Sequence, residues 1–352
     1  MKKLLIALFL PLLLISCLGD SDLTSHDLLP DATGERGHIM VIMDDNLWNG
    51  SLGDTLRSQF DQNIDGPFIR SEPMFGYHQV KPGTLNHINK SSRLILKIFV
   101  DHDSTYAETA IIEKYDFYAK GQLFLVIKDS DVDRLYDFVK HDFNKVIDLY
   151  NNFEKEQLMA HYKRNFHKSI NEQAEKKFGI SIYLPKESKL KVEKENFMWV
   201  KYDRSRNLMS NEATGADGGT FWIQEGIIFW SEPYSDEAID PYHILEKRDS
   251  VLKYNIPGKV NGSWMTTEYD PCCAPEGLVT TIDGHDAVIF EGNWKHGGNP
   301  AAVGGGPFVQ YSIHNPNENS VVTVCGYVYA PKFNKREYIR ELHAMLSSIK
   351  IN

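Results

Sequence analysis

The sequence predicts an α+β protein in two halves: an N-terminal sheet backed by helices, then a strand-rich C-terminal sheet with few helices. Three observations carry this. Strand-length apolar runs alternate with amphipathic helical stretches up to residue 178, the pattern of a sheet layered against helices. Phe178-Gly179 then supplies a helix stop. Beyond it strand patterns dominate, with helices expected only at residues 241–254 and 335–349.

The elements follow in order. Residues 38–43 are an apolar run of strand length, and Asp44-Asp45-Asn46 offers helix caps. A helix over 47–60 places Leu52, Leu56 and Phe60 on one stripe. Short strands are expected at 68–69 and 77–80, around Glu72-Pro73, and a longer one at 93–100. Residues 106–119 read as helical, 122–127 as a strand, and 129–178 as one or two long amphipathic helices. Residues 180–184, 197–202, 220–223, 227–230, 263–268, 287–294, 308–313 and 321–329 read as strands. The boundary between the halves is placed at 179, giving a first half of 38–178 and a second of 179–352. Ser71-Glu72-Pro73 and Ser231-Glu232-Pro233 echo each other, but Glu-Pro is ordinary turn chemistry.

Composition excludes several classes. The chain has 352 residues, 42% of them apolar, with 18 Phe, 17 Tyr and 6 Trp, which argues against disorder. Its net charge of −10 becomes −12 once Lys2 and Lys3 leave with a signal segment. Such an acidic chain without a basic stripe does not suit a phosphate backbone, so no nucleic-acid partner is expected. Residues 1–16 read as a signal peptide: Lys2 and Lys3 precede a short apolar run interrupted by Pro11. That run falls well short of the roughly 20 residues that span a bilayer. It ends in Leu14-Ile15-Ser16-Cys17, which resembles a bacterial lipobox, so Cys17 is the expected lipidation site and 17–37 a lipidated tether. The absence of Asp directly after Cys17 favours the outer membrane; its periplasmic and cell-surface faces both stay open.

Candidate chemistry is sparse. Asp129, Asp131 and Asp133 begin a calcium-loop spacing, but Arg134 and Lys140 occupy the positions that need Gly and Glu, so helix capping is expected instead. Asp101-His102-Asp103 reads as a polar turn after a strand. Cys272-Cys273 and Cys325 are candidates for a disulfide or redox thiols; their spacing does not suit zinc, and no metal or cofactor is expected. Residues 294–308, WKHGGNPAAVGGGPF, hold five glycines and are the expected functional surface: Trp294, His296, Gly297, Gly298, Gly305 and Gly306. The competing description is a glycine-rich hairpin, and exposed amides there would suit an anion. Five of the six tryptophans lie in the second half (Trp199, Trp222, Trp230, Trp264, Trp294), as a glycan or protein platform or as core. No G-x-S-x-G, H-E-x-x-H or recognisable carboxylate pair is present.

Several separated motifs resemble a known family: Leu29-Pro30-Asp31-Ala32-Thr33-Gly34, residues 38–57, Glu72-Pro73-Met74-Phe75, Lys247-Arg248-Asp249, Ile256-Pro257-Gly258, Gly305-Gly306-Pro307-Phe308 and Tyr327-Val328-Tyr329-Ala330-Pro331-Lys332. Together they resemble an uncharacterised lipoprotein family of Bacteroidota, catalogued only as a domain of unknown function, across nearly the whole mature chain. The chain departs from that pattern at Phe290-Glu291-Gly292-Asn293-Trp294, where an Arg-Gly pair is expected before the tryptophan. The family brings no catalytic residue. The resemblance also implies O-glycosylation at Asp-Ser/Thr triplets, expected here at Ser104 rather than Thr55 or Ser250. The resulting expectation is an outer-membrane lipoprotein that binds or assembles rather than catalyses, with another envelope protein as partner. The alternative is a glycan-binding or glycan-processing envelope protein.

Overall fold

The computed structural model describes residues 29–352 except 65, 67–70, 104 and 210–217. Cys17 and Ser104, and the strand expected at 68–69, lie outside the described residues.

The first half contains β1 (His38–Ile42), α1 (Asp45–Trp48), α2 (Ser51–Phe60), β2 (Gly76–Val80), α3 (His87–Lys90), β3 (Leu94–Val100), β4 (Ala110–Tyr115), β5 (Leu123–Asp129), α4 (Val132–His141), α5 (Asn144–Arg164) and α6 (Lys168–Phe178). The strand order is β2-β1-β3-β5-β4, parallel except for β4 at the edge. α2, α4 and α5 cover one face, burying Leu56, Phe60, Leu135, Val139, Val146 and Tyr150 against Val41, Leu96 and Leu125. The central strands read as unbroken apolar runs because both of their faces are covered.

Three expectations change here. Residues 106–119 are not a helix: Ala110–Tyr115 form β4, antiparallel to β5. The paired Ile111 and Ile112 favour a strand, and Ile111 packs on the core while Ile112 faces out. The helix expected at 47–60 breaks at Asn49-Gly50 into α1 and α2. Residues 129–178 hold three helices rather than one or two. Asp131 caps α4 by accepting from the Asp133 amide, as expected of this acidic run. Gly179 ends α6 in the left-handed conformation at φ 63°.

The second half contains β6 (Ile180–Ser181), β7 (Lys189–Lys194), β8 (Phe197–Lys201), β9 (Arg204–Leu208), β10 (Gly219–Pro233), α7 (Pro241–Asn255), β11 (Trp264–Thr267), β12 (Glu276–Ile282), β13 (His285–Gly297), β14 (Gly305–Asn315), β15 (Ser320–Tyr329), α8 (Arg336–Leu346) and β16 (Lys350–Ile351). Nine strands form one antiparallel sheet in the order β11-β13-β14-β15-β10-β8-β7, with β12 on β13 and β9 on β10. The expected strands at 220–223 and 227–230 are one long strand, β10. β7, β9 and β12 are additional; all three are largely exposed and β7 and β9 largely polar, so they carry little periodic signal.

Alternation sorts this sheet into two faces. One bears Val200, Ile227, Phe229, Val309, Val324 and Val328 beneath α6 and α8. The other bears Ile228, Trp230, Phe290, Phe308, Cys325 and Tyr327 beneath α7. The two halves are joined at α8. Its first free amides, at Lys335 and Arg336, donate to the Glu72 carboxylate at 2.8–2.9 Å. Arg336 and Arg340 in turn donate to the Pro73 and Met74 carbonyls. Among the described residues no helix is long and apolar enough to cross a membrane.

Candidate functional site

The glycine-rich stretch is a hairpin. Gly297 ends β13, Gly305 and Gly306 begin β14, and both strands are paired there, so those residues build sheet rather than an anion nest. Their smallness serves the neighbouring indoles. A Cβ on Gly306 would strike the Val328 carbonyl and crowd the Trp294 indole. Gly298, at φ 82°, leaves the space filled by the Trp264 ring.

Trp294 is only 4% exposed, and its Nε1 donates to the Val328 carbonyl at 3.1 Å. Around it stand His296, Tyr327 and Tyr329, with ring centroids 5.4, 6.0 and 6.1 Å away. Trp199, across β10, donates from Nε1 to the Tyr327 hydroxyl at 3.0 Å. Burial pushes the Tyr327 hydroxyl well above its ordinary pKa, so it stays neutral.

These rings line a cleft of about 240 Å³. It lies on the α7 face of the sheet, where that helix ends at Asn255 and the chain turns through Pro257 and Gly258. Met265 and Ile256 complete the apolar wall, and Lys201, Lys259, Gln224 and His296 supply polar atoms. Val303, 85% exposed, stands at the mouth. Among the described residues no carboxylate lines the cleft.

Behind the aromatic wall sits a fully buried arginine. Arg248 projects from α7 in line with Ile244 and Leu252, and its guanidinium lies 3.7 Å from the Phe308 ring centroid. It donates to the Thr267 hydroxyl, and its Nε has no partner. The nearest carboxylate oxygen, on Asp249, is 3.8 Å away and also accepts from Thr266, from the Thr267 amide and hydroxyl, while the other accepts from Tyr269. Thr267 pairs with Trp294 and Phe308 with Tyr327, so this charge is one residue removed from the cleft.

The sequence-predicted residues are therefore only partly brought together. Trp294 and His296 line the cleft, and the four glycines support its hairpin. Trp199 joins Trp294, whereas Trp230 is core and Trp222 is 67% exposed on β10. The cysteines lie elsewhere. Cys272 and Cys273 place their sulfurs 3.1 Å apart beside a separate 470 Å³ cavity that Glu291 and His343 also line. Hydrogen bonds with Cys273 and Asp270 push the Cys272 thiol up to about 12, which leaves it protonated and a weak nucleophile. Cys325 is buried and faces Arg248 instead, with Sγ 4.0 Å from the guanidinium. Sequence reasoning missed Lys201, Lys259 and the role of Arg248. The Arg248 signal was present: a charged residue standing in the apolar stripe of α7.

A family model described as a domain of unknown function, DUF4837, matches residues 167–348, just over half of the chain. The chain belongs to that family. A second domain of unknown function, DUF8532, matches residues 32–163, so the DUF4837 region begins with α6 and contains the whole cleft. No curated protein matches the sequence. Among solved structures the likeness is weak. The Ran-binding protein Mog1p of Saccharomyces cerevisiae is 13% identical at a TM-score of 0.29, covering 49% of this chain and 90% of its own. LpqN of Mycobacterium tuberculosis, described as involved in cell envelope biogenesis, is 16% identical at a TM-score of 0.26, covering 49% and 83%.

Proposed function

We propose that this chain is a non-enzymatic binding protein of the bacterial envelope, anchored in the outer membrane through lipid on Cys17, whose aromatic cleft takes a sugar ring of an envelope glycan. The observation that carries the reading is one open cavity where the half-buried rings of Trp199 and Tyr329 stand over the buried Trp294 and Tyr327. Flat aromatic faces pack against the apolar face of a pyranose, while polar atoms at the rim meet its hydroxyls. The lining offers contact surface and hydrogen bonds rather than a nucleophile held by its base.

Screening the mature chain in detergent against a glycan array tests this. Binding is expected, and Tyr329→Ala should weaken it. An array without signal, from chain whose unfolding curve is normal, would remove the sugar reading.

A protein partner is the second reading, and one observation favours it. The edge strand β12 exposes Leu278 at 60% and Val279 at 73%, an apolar edge of the kind that pairs with other chains. Cross-linking in intact envelopes should then join Lys295, on β13 to which β12 pairs, to a single defined protein. Scattered, low-abundance links would count against it.

A further inference from the structure

The charge around the cleft narrows its ligand. We infer that the sugar ring it takes carries a carboxylate, as in a uronic acid; this rests on the sugar-ring reading above. A cage of aromatic rings can also hold a cation, because ring faces are electron-rich. Here the charges decide against one. Among the described residues Lys201 and Lys259 both line the cavity and no Asp or Glu does, and Arg248 lies buried directly behind the wall. Lys201 is partnered by Asp203 at 2.8 Å, whereas Lys259 has no carboxylate partner among the described residues.

The hydrogen-bonding inventory agrees. The Lys259 ammonium, the Gln224 amide and the Tyr329 hydroxyl make no protein hydrogen bond among the described residues, and the buried His296 Nδ1 is unpartnered. Of these the Lys259 ammonium only donates, while the Gln224 amide and the Tyr329 hydroxyl both donate and accept, so all three have a donor to offer a ligand rich in acceptors. Arg248 adds to the bias only in part, because the Asp249 carboxylate 3.8 Å from its guanidinium offsets its charge. Size sets the remaining limit. A volume of 240 Å³ holds about eight waters, room for one six-membered ring and its substituents.

The experiment is a titration of the mature chain, followed by saturation-transfer NMR, with methyl glucuronide and methyl glucoside. These probes differ in charge at a single carbon. The glucuronide should bind at least about fivefold more tightly, and the advantage should shrink severalfold in Lys259→Gln and in about 0.5 M salt. Lys259 is exposed on a turn, so its replacement tests charge without disturbing the core. Equal binding of both sugars would overturn the carboxylate inference and leave the sugar reading standing. Binding of neither, by folded chain, would overturn both. Glucuronide binding indifferent to Lys259→Gln and to salt would also overturn the inference, since charge would not be selecting it.

Discussion

The two faces of the large sheet are built from the same strands and used differently. Under α8 the packing is continuous: Leu342, Met345 and Leu346 are fully buried, and Leu342 rests on Gly326. Under α7 the helix stops short. The strand residues beyond its end are aromatic, and a charge is buried where an apolar side chain would pack. The lesson is that a face fully covered by helix serves stability, while a partly covered face leaves a cleft whose residues need not be the most stabilising choices.

The sharpest break of that comparison is Leu342→Ala. Removing a fully buried leucine from the covered face should cost about 3 kcal/mol of unfolding free energy. Val303→Ala, at the cleft mouth, should change it by less than about 0.5 kcal/mol. Denaturant unfolding of both variants checks the contrast; equal losses would mean the faces are energetically alike.

The covered face also holds a buried ionic cluster at its edge. Arg204 forks onto both oxygens of Glu225, at 2.5 and 2.9 Å, and reaches Glu341 as well. Asp203 and the buried Tyr202 and Tyr162 complete the surroundings. Desolvation outweighs the shared arginine and pushes Glu225 up from 4.5 to about 7. Between those values the folded chain holds a proton that the unfolded chain has released. Stability from this group is therefore present below about pH 4.5 and lost as pH rises through about 7, by about 3 kcal/mol in all. Glu225→Gln should flatten that part of the pH–stability curve, and an unchanged slope would show that Glu225 titrates normally.

How much of this was readable follows from how far each signal extends along the chain. The helix stop at Gly179 is a local pattern and folds as read, as do the apolar runs that become β1, β3 and β5. β4 misleads because six residues at a sheet edge resemble a helical stretch until β5 is there to pair with them. Trp294 and His296 stood out because the glycines beside them make an unusual run. Their meeting with Trp199, Met265 and Tyr327 was not legible, because it comes only through strand register, with Trp199 and Tyr327 separated by 128 positions. Lys201 and Lys259 are single lysines with no pattern at all.

A smaller effect is expected where the halves meet. Glu72 caps α8 from the first half, in place of a side-chain cap from Lys335. Glu72→Ala should cost about 1 kcal/mol, the usual loss for a helix cap. Faster amide exchange confined to the first turn of α8 would locate the effect there, and no change would mean that Arg336 and Arg340 hold the halves alone.

The least disruptive substitution is the most informative about the cleft face. Arg248→Met removes a buried charge whose guanidinium is incompletely partnered, and it retains a long side chain against Phe308. Thr267 and Asp249 keep each other at 2.7 Å, so neither is left bare. Replacing a whole buried ion pair by apolar side chains is often neutral or stabilising, whereas removing one partner alone costs stability. Here Asp249 retains the Thr266, Thr267 and Tyr269 donors, which keeps that cost small. The expected change in unfolding free energy is therefore within about 1 kcal/mol of zero, with the glucuronide advantage reduced. A loss above about 3 kcal/mol would make Arg248 a structural member of the core. The cleft face would then be built for stability as the α8 face is, and the arginine would no longer speak for an anionic ligand.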